Sequence, residues 1–158
     1  MNTLNLPPEL LVVERVGCQA EATSKKRVLQ MIGQLLAGAS PELTQDAVFD
    51  RLLERERLGS TGLGHGVALP HARVAGVHEA VGAFLKLDTA VDYDAIDSRP
   101  VDLVFGLLVP EEATQAHLDL LASLAALFSS PNLCARLRAD CTPEQVLAAL
   151  LSPRPEHV

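Results

Sequence analysis

The sequence predicts an α/β layered domain, on three grounds. Two apolar, partly β-branched runs, Val81 to Leu87 and Val101 to Val109, lie mid-chain between turn residues, as strands do. On either side of them, apolar residues recur at the 3.6-residue spacing of amphipathic helices. No repeat, low-complexity linker or composition shift divides the 158 residues, a length usual for one domain. Helices, a block of strands and more helices bury their apolar faces by packing as layers.

Taken in order, Leu10-Leu11-Val12-Val13 is short and apolar enough to be a first strand. Thr23 or Ser24 can cap the next segment, because a side-chain oxygen there accepts an unpaired first-turn N–H. Val28, Leu29, Ile32, Leu35 and Leu36 then form one helical stripe that stops near Gly38. Ser40-Pro41-Glu42 restarts a helix as Ncap, N1 and early acid, continued by Val48, Leu52 and Leu53 to a charged end before Gly59. The Val101 to Val109 run is nearly continuous in apolarity, as in a strand covered on both faces. The polar bridge Asp88 to Pro100 leaves room for one brief strand around Tyr93. Leu118, Leu121, Leu124, Ala125 and Phe128 mark the next helix, and Ser130-Pro131 begins another through Leu133 and Leu137. Thr142-Pro143-Glu144-Gln145 starts the last, with Thr142 as Ncap, Pro143 as N1 and Gln145 at the capping-box position.

Composition removes several classes of function. A net charge of −7 argues against a nucleic-acid surface, which needs clustered Lys and Arg. Hydrophobic residues at 48% argue against disorder, and aromatics at 3% leave no stacking platform for bases or sugars. Met1 to Leu11 has no basic residue ahead of its apolar stretch, so no secretory signal is expected. The later apolar runs are too short to span a membrane, so no direct membrane insertion is expected. Cys18, Cys134 and Cys141 are an odd set without C-x-x-C spacing, so buried thiols in a reducing cytoplasm are expected rather than a disulfide framework.

One segment, Arg55 to Arg73, is built for more than packing. Its glycines Gly62, Gly64 and Gly66 permit positive φ and let backbone N–H groups converge on an anion. It lacks G-x-x-x-x-G-K-[ST] and any Lys, which excludes a nucleotide P-loop. His71 follows an apolar run and Pro70, where a strand emerges into a loop, and imidazole is largely neutral and nucleophilic near pH 7. Arg55, Arg57 and Arg73 flank it with guanidinium groups suited to phosphoryl oxygens. His65, His71, His78 and His117 have no H-x-x-x-H pair and no neighbouring Cys, so no metal site is expected.

The stretch STGLGHGVALPHAR, together with SKKRVL, RERLGSTG and YDAIDSRPVDLVFGLLVP, resembles type-2 enzyme IIA domains of the bacterial phosphoenolpyruvate-dependent phosphotransferase system. The last motif is most like the nitrogen-regulatory branch. The resemblance runs from about Leu4 to Leu151 and leaves Ser152 to Val158 as a flexible tail on a single domain spanning residues 1–158. It implies a central mixed β-sheet flanked by helices, with His71 as phosphoryl acceptor, Arg55 contacting phosphate charge and His117 donating a hydrogen bond to it. Ser60 and Thr61 match the family's hydroxyl pair in a phosphate-binding loop that also holds Gly62, Gly64, His65 and Gly66. His65 stands where relatives often have Asn, and either touches the phosphate or lines the loop.

No cofactor is implied. The implied partners are an HPr-like or nitrogen-branch phosphocarrier protein and regulated cytoplasmic proteins, such as potassium-transport or sensor-kinase components. The alternative is a fructose- or mannitol-type IIA that passes the group to a IIB domain for sugar uptake. The Tyr93 to Pro110 stretch, and the expectation of a free-standing domain without an attached IIB domain, favour regulation.

Overall fold

The computed structural model describes residues 6–112, 114–139 and 141–151; the expected tail, Ser152 to Val158, lies outside them. Among the described residues, six strands, β1 (Val16–Ala20), β2 (Gly62–Gly64), β3 (Val67–Ala68), β4 (His71–Val74), β5 (Val81–Val91) and β6 (Val101–Pro110), form one mixed sheet. Five α-helices among the described residues cover it: α1 (Lys25–Ala37), α2 (Gln45–Arg57), α3 (Gln115–Phe128), α4 (Pro131–Ala139) and α5 (Pro143–Leu151). The sheet order is β1-β5-β6-β3-β2, and β4 follows β3 along the same side of β6. β5 and β6 pair antiparallel, whereas β1 on β5 and both β3 and β4 on β6 run parallel.

Strand β6 is buried on both faces because its alternate side chains enter different cores. Leu103, Phe105, Leu107 and Val109 pack with α3, α4 and α5, while Val104 and Leu108 pack with α1 and α2. The helical stripe foreseen from Val28 to Leu36 lies on α1, whose N-cap is Ser24: its hydroxyl accepts the Arg27 N–H at 3.1 Å. Thr142 likewise caps α5, accepting the Gln145 N–H at 3.2 Å.

Four expectations are corrected. Leu10 to Val13 is not a strand: Leu10 and Leu11 are fully buried plugs under the α3–α5 side, and the strand begins at Val16. Burying such a side chain contributes on the order of 1.5–3 kcal/mol whether or not its backbone is extended. Ser40-Pro41-Glu42 does not open α2, because the Ser40 hydroxyl closes a local turn onto the Glu42 N–H at 3.2 Å. The helix waits for Thr44, which accepts the Ala47 N–H. No strand forms around Tyr93; β5 itself extends to Val91, and Tyr93 is a buried anchor in the connection to β6.

The cysteines are the fourth. Cys18 on β1 and Cys141 ahead of α5 form a disulfide, with their Cα atoms 5.9 Å apart. An odd count conceals one bridge plus one free thiol, and the partners are 123 residues apart, so spacing did not betray them. Only Cys134 remains a buried thiol, its Sγ–H donating to the Phe128 carbonyl, and burial raises its pKa. No single helix among the described residues is long and apolar enough to cross a membrane.

Candidate functional site

Where β4 begins, a cleft of about 400 Å³ opens between the C-terminal half of α2 and the first turns of α3. Among its lining residues are Arg51, Arg55 and Leu58 from the α2 side, His71 and Arg73 from β4, and His117 and Leu118 from α3. Its position follows from the topology. Pro70 interrupts the chain between β3 and β4, yet its carbonyl still accepts the Leu107 N–H at 2.9 Å, so His71 enters in register with Leu107. The histidine is thereby held, half-buried, at a rigid strand end.

The two histidines are held in opposite tautomers. Nδ1 of His71 donates its proton to the Leu69 carbonyl at 2.8 Å, which leaves Nε2 with the free lone pair. Burial lowers the His71 pKa; the Leu69 bond opposes this, the nearby Arg55 charge adds to it and Glu56 opposes it. His71 is therefore a neutral, nucleophilic imidazole at pH 7. His117 is the third residue of α3, and its Nδ1 accepts the Thr114 N–H at 3.0 Å. Its proton accordingly sits on Nε2, available as a donor. One ring offers a lone pair to the cleft and the other an N–H.

The guanidinium groups follow helical geometry. Arg55 lines the cleft and is braced by a 2.9 Å hydrogen bond from Nη1 to the Gly59 carbonyl. Arg51, one turn earlier on the same face, also lines it and donates from Nε to the Arg73 carbonyl at 3.0 Å. Arg57, singled out in the sequence as a flanking arginine, points instead into a groove with Lys25, Lys26 and Leu53. Residues two apart on a helix lie roughly 200° around it, and that spacing alone would have chosen Arg51 over Arg57.

The glycine-rich loop is placed differently from expectation. None of Ser60, Thr61, Gly62, Gly64, His65 and Gly66 lines the cleft. They form the turn into β2 and the β2–β3 hairpin. A Cβ at Gly62 would lie 2.7 Å from that of Ala95, and Gly66 has φ +84° beside Arg138, so close approach and turn geometry explain these glycines. The N–H groups expected to cradle an anion are in part already taken. Gly62 N–H donates to Ser60 Oγ, and His65 N–H to Asp97 Oδ2 at 2.8 Å. The His65 side chain is exposed at φ 58°, and its carbonyl accepts from Arg138, which also forms a two-pronged pair with Asp102. Ser60 donates to the Tyr93 carbonyl, and the Thr61 hydroxyl donates to Glu56 at 2.7 Å.

Glu56 itself went unnoticed in the sequence. It is the one buried charged residue among the described residues, and its carboxylate accepts from Thr61 N–H at 2.8 Å, the Thr61 hydroxyl, Tyr93 and Lys25 Nζ at 2.9 Å. Its only sequence signal was its place beside Arg55, about 100° around the helix and so facing inward.

A family model described as "Phosphoenolpyruvate-dependent sugar phosphotransferase system, EIIA 2" matches residues 9–152. The chain belongs to this EIIA type-2 family. This EIIA domain is 49% identical over 121 residues to the nitrogen regulatory protein of Pseudomonas aeruginosa, covering 77% of this chain and 79% of that one. The crystal structure of the nitrogen regulatory protein IIA-Ntr from Neisseria meningitidis matches with a TM-score of 0.86 and 45% identity, over 90% of this chain and 97% of that one. The mannitol IIA of Escherichia coli, solved in complex with phosphorylated mannitol IIB, shares the fold at a TM-score of 0.73 and 22% identity, covering 91% and 98% of the two chains. The EIIA assignment makes the chain a phosphotransfer component with a mixed sheet flanked by helices.

Proposed function

We propose that this chain accepts a phosphoryl group on Nε2 of His71 from the phosphohistidine of an HPr-like or nitrogen-branch phosphocarrier, and that its phosphorylation state governs its binding to cytoplasmic partners. The observation that carries this reading is the pair of opposed tautomers in a guanidinium-lined cleft. The carrier's phosphohistidine, protonated on its other nitrogen, leaves as neutral imidazole when its N–P bond breaks. The new N–P bond forms at His71 Nε2, and the Nδ1–H stays on the Leu69 carbonyl, so no proton has to move. In a loose transition state the protein's work is positioning and charge stabilisation. Arg55 meets the spread charge, Nε2–H of His117 donates to a phosphoryl oxygen, and the positive end of α3 adds a fixed dipole. Leu58 and Leu118 are exposed apolar residues on the rim, a surface a docking carrier would cover. Ser60, Thr61 and the Gly62–Gly66 hairpin serve from behind the cleft.

The nitrogen regulatory relatives support a regulatory role. The mannitol homologue, caught with its IIB partner, supports the second reading, transfer onward to a sugar IIB domain. Phosphoenolpyruvate, enzyme I and a carrier together are expected to label this chain on His71 with an acid-labile, base-stable adduct, detected by mass spectrometry. Label persisting in His71→Ala would overturn the assignment. Pull-downs with unphosphorylated wild-type, His71→Ala and His71→Glu proteins then separate the roles, because partner binding that ignores all three forms excludes regulation through this histidine.

A further inference from the structure

Three of the motifs behind the family resemblance converge on one buried group. Lys25 comes from the first, Glu56 and Thr61 from the second and Tyr93 from the third, and all meet at the Glu56 carboxylate, whose side chain is 3% exposed. Lys25 Nζ also lies 4.8 Å from the centre of the Tyr93 ring and 3.8 Å from the exposed Asp94 carboxylate. Burial, with the Glu56 charge added, pushes the Tyr93 hydroxyl far above its ordinary pKa, so it acts as a permanent donor. A buried charge is costly unless it is paired and hydrogen-bonded, and the buried Glu56 carboxylate accepts from Thr61, Tyr93 and Lys25, whose own side chain stays partly exposed.

From that carboxylate two short paths lead to the cleft. In the first, Glu56 holds the Thr61 N–H, the Thr61 carbonyl accepts the Leu69 N–H at 2.9 Å, and the Leu69 carbonyl accepts the His71 Nδ1–H. In the second, fixing Thr61 fixes the turn that carries the Gly59 carbonyl, on which the Arg55 guanidinium rests. We propose that Glu56, charged and paired with Lys25, is a positioning residue for both His71 and Arg55. It sets the tautomer of the first and the reach of the second without touching the phosphoryl group. Its role rests on His71 being the acceptor.

A structural ion pair would account for the same burial, and the experiment separates the two. The groups facing Glu56 are Lys25 from α1, Tyr93 from the β5–β6 connection and Thr61; those around His71 are Arg51, Glu54, Arg55, Arg73 and His117. Glu56→Gln keeps the shape but cannot accept from Thr61 N–H and its hydroxyl with two oxygens. Glu56→Gln/Lys25→Met removes both charges together, so no lysine is left with only the more distant, exposed Asp94 as its partner.

Nitrogen NMR of the free proteins reports the His71 tautomer and its titration midpoint, and phosphoryl transfer from the carrier is timed alongside. In Glu56→Gln the Nδ1–H form is expected to lose population. The midpoint falls, because the Arg55 charge is no longer opposed, and transfer slows about tenfold. The double variant is expected to recover thermal stability while His71 stays altered. A wild-type tautomer and midpoint in Glu56→Gln overturn the positioning role, as does recovery of His71 together with stability in the double variant. Should the wild-type chain take no label on His71 while Glu56→Gln still shifts its tautomer, the acceptor reading falls and the hold of Glu56 on the ring stands.

Discussion

The cleft and the β2–β3 hairpin come from the same stretch of sequence, Arg55 to Arg73, and differ in what their polar groups are free to do. In the hairpin, the Gly62 N–H, the His65 N–H and carbonyl, and the Thr61 hydroxyl are all engaged by Ser60, Asp97, Arg138 and Glu56. In the cleft, His71 and His117 each spend one ring nitrogen on the backbone and keep the other. A motif whose donors are already satisfied builds the scaffold, whereas half-satisfied groups stay available for chemistry. Glycine spacing is a feature of both kinds of loop and does not separate them.

The largest effects are expected among the cleft arginines. Arg55→Ala should slow transfer about 100-fold with the fold intact, since a donor to transition-state charge is lost. Arg51→Ala should slow it several-fold and Arg57→Ala leave it unchanged. Stopped-flow transfer kinetics of the three give the order, and equal rates for Arg51→Ala and Arg57→Ala would remove the helix face from the account. A smaller effect is expected in the pH profile. Burial holds the His71 pKa below its ordinary 6.5, so the ring stays neutral and the rate stays flat as pH falls through that value, dropping only once the lowered pKa is crossed. Because Arg55 contributes to the lowering, the drop should come at higher pH in Arg55→Ala. The smallest effect belongs to the hairpin. Asp102→Ala removes a partly exposed pair with Arg138 and should cost about 1 kcal/mol in urea unfolding. Transfer kinetics should not change; a slowed rate there would place the hairpin in the site and erase the contrast.

Much of the fold was legible because local signals agreed with global ones. The α1 stripe, the Ser24 and Thr142 caps and the doubly covered β6 each express a single periodicity or cap. Failures came where two local signals competed or where only folding makes neighbours. Ser40 and Thr44 offer rival caps four residues apart, and the first was spent on a turn. Leu10 and Leu11 supply apolar surface without strand geometry. Cys18 and Cys141 meet only because α5 packs against β1. In the site, His71 stood out by its place after Pro70, but Arg51 required the helical wheel. Glu56 required the third dimension, since its partners Lys25 and Tyr93 lie far from it in the chain.

The hydrogen bond from Thr114 to His117 makes one ring atom serve two purposes. Nδ1 satisfies an otherwise orphaned N–H at the start of α3 only while it carries no proton itself. In the neutral ring that same lone pair puts the proton on Nε2, so the free N–H and the helix's opening turn are set by one ring atom. The Thr114 amide becomes a gauge: its exchange with solvent registers the condition of the cleft from outside it, at a position no ligand has to touch.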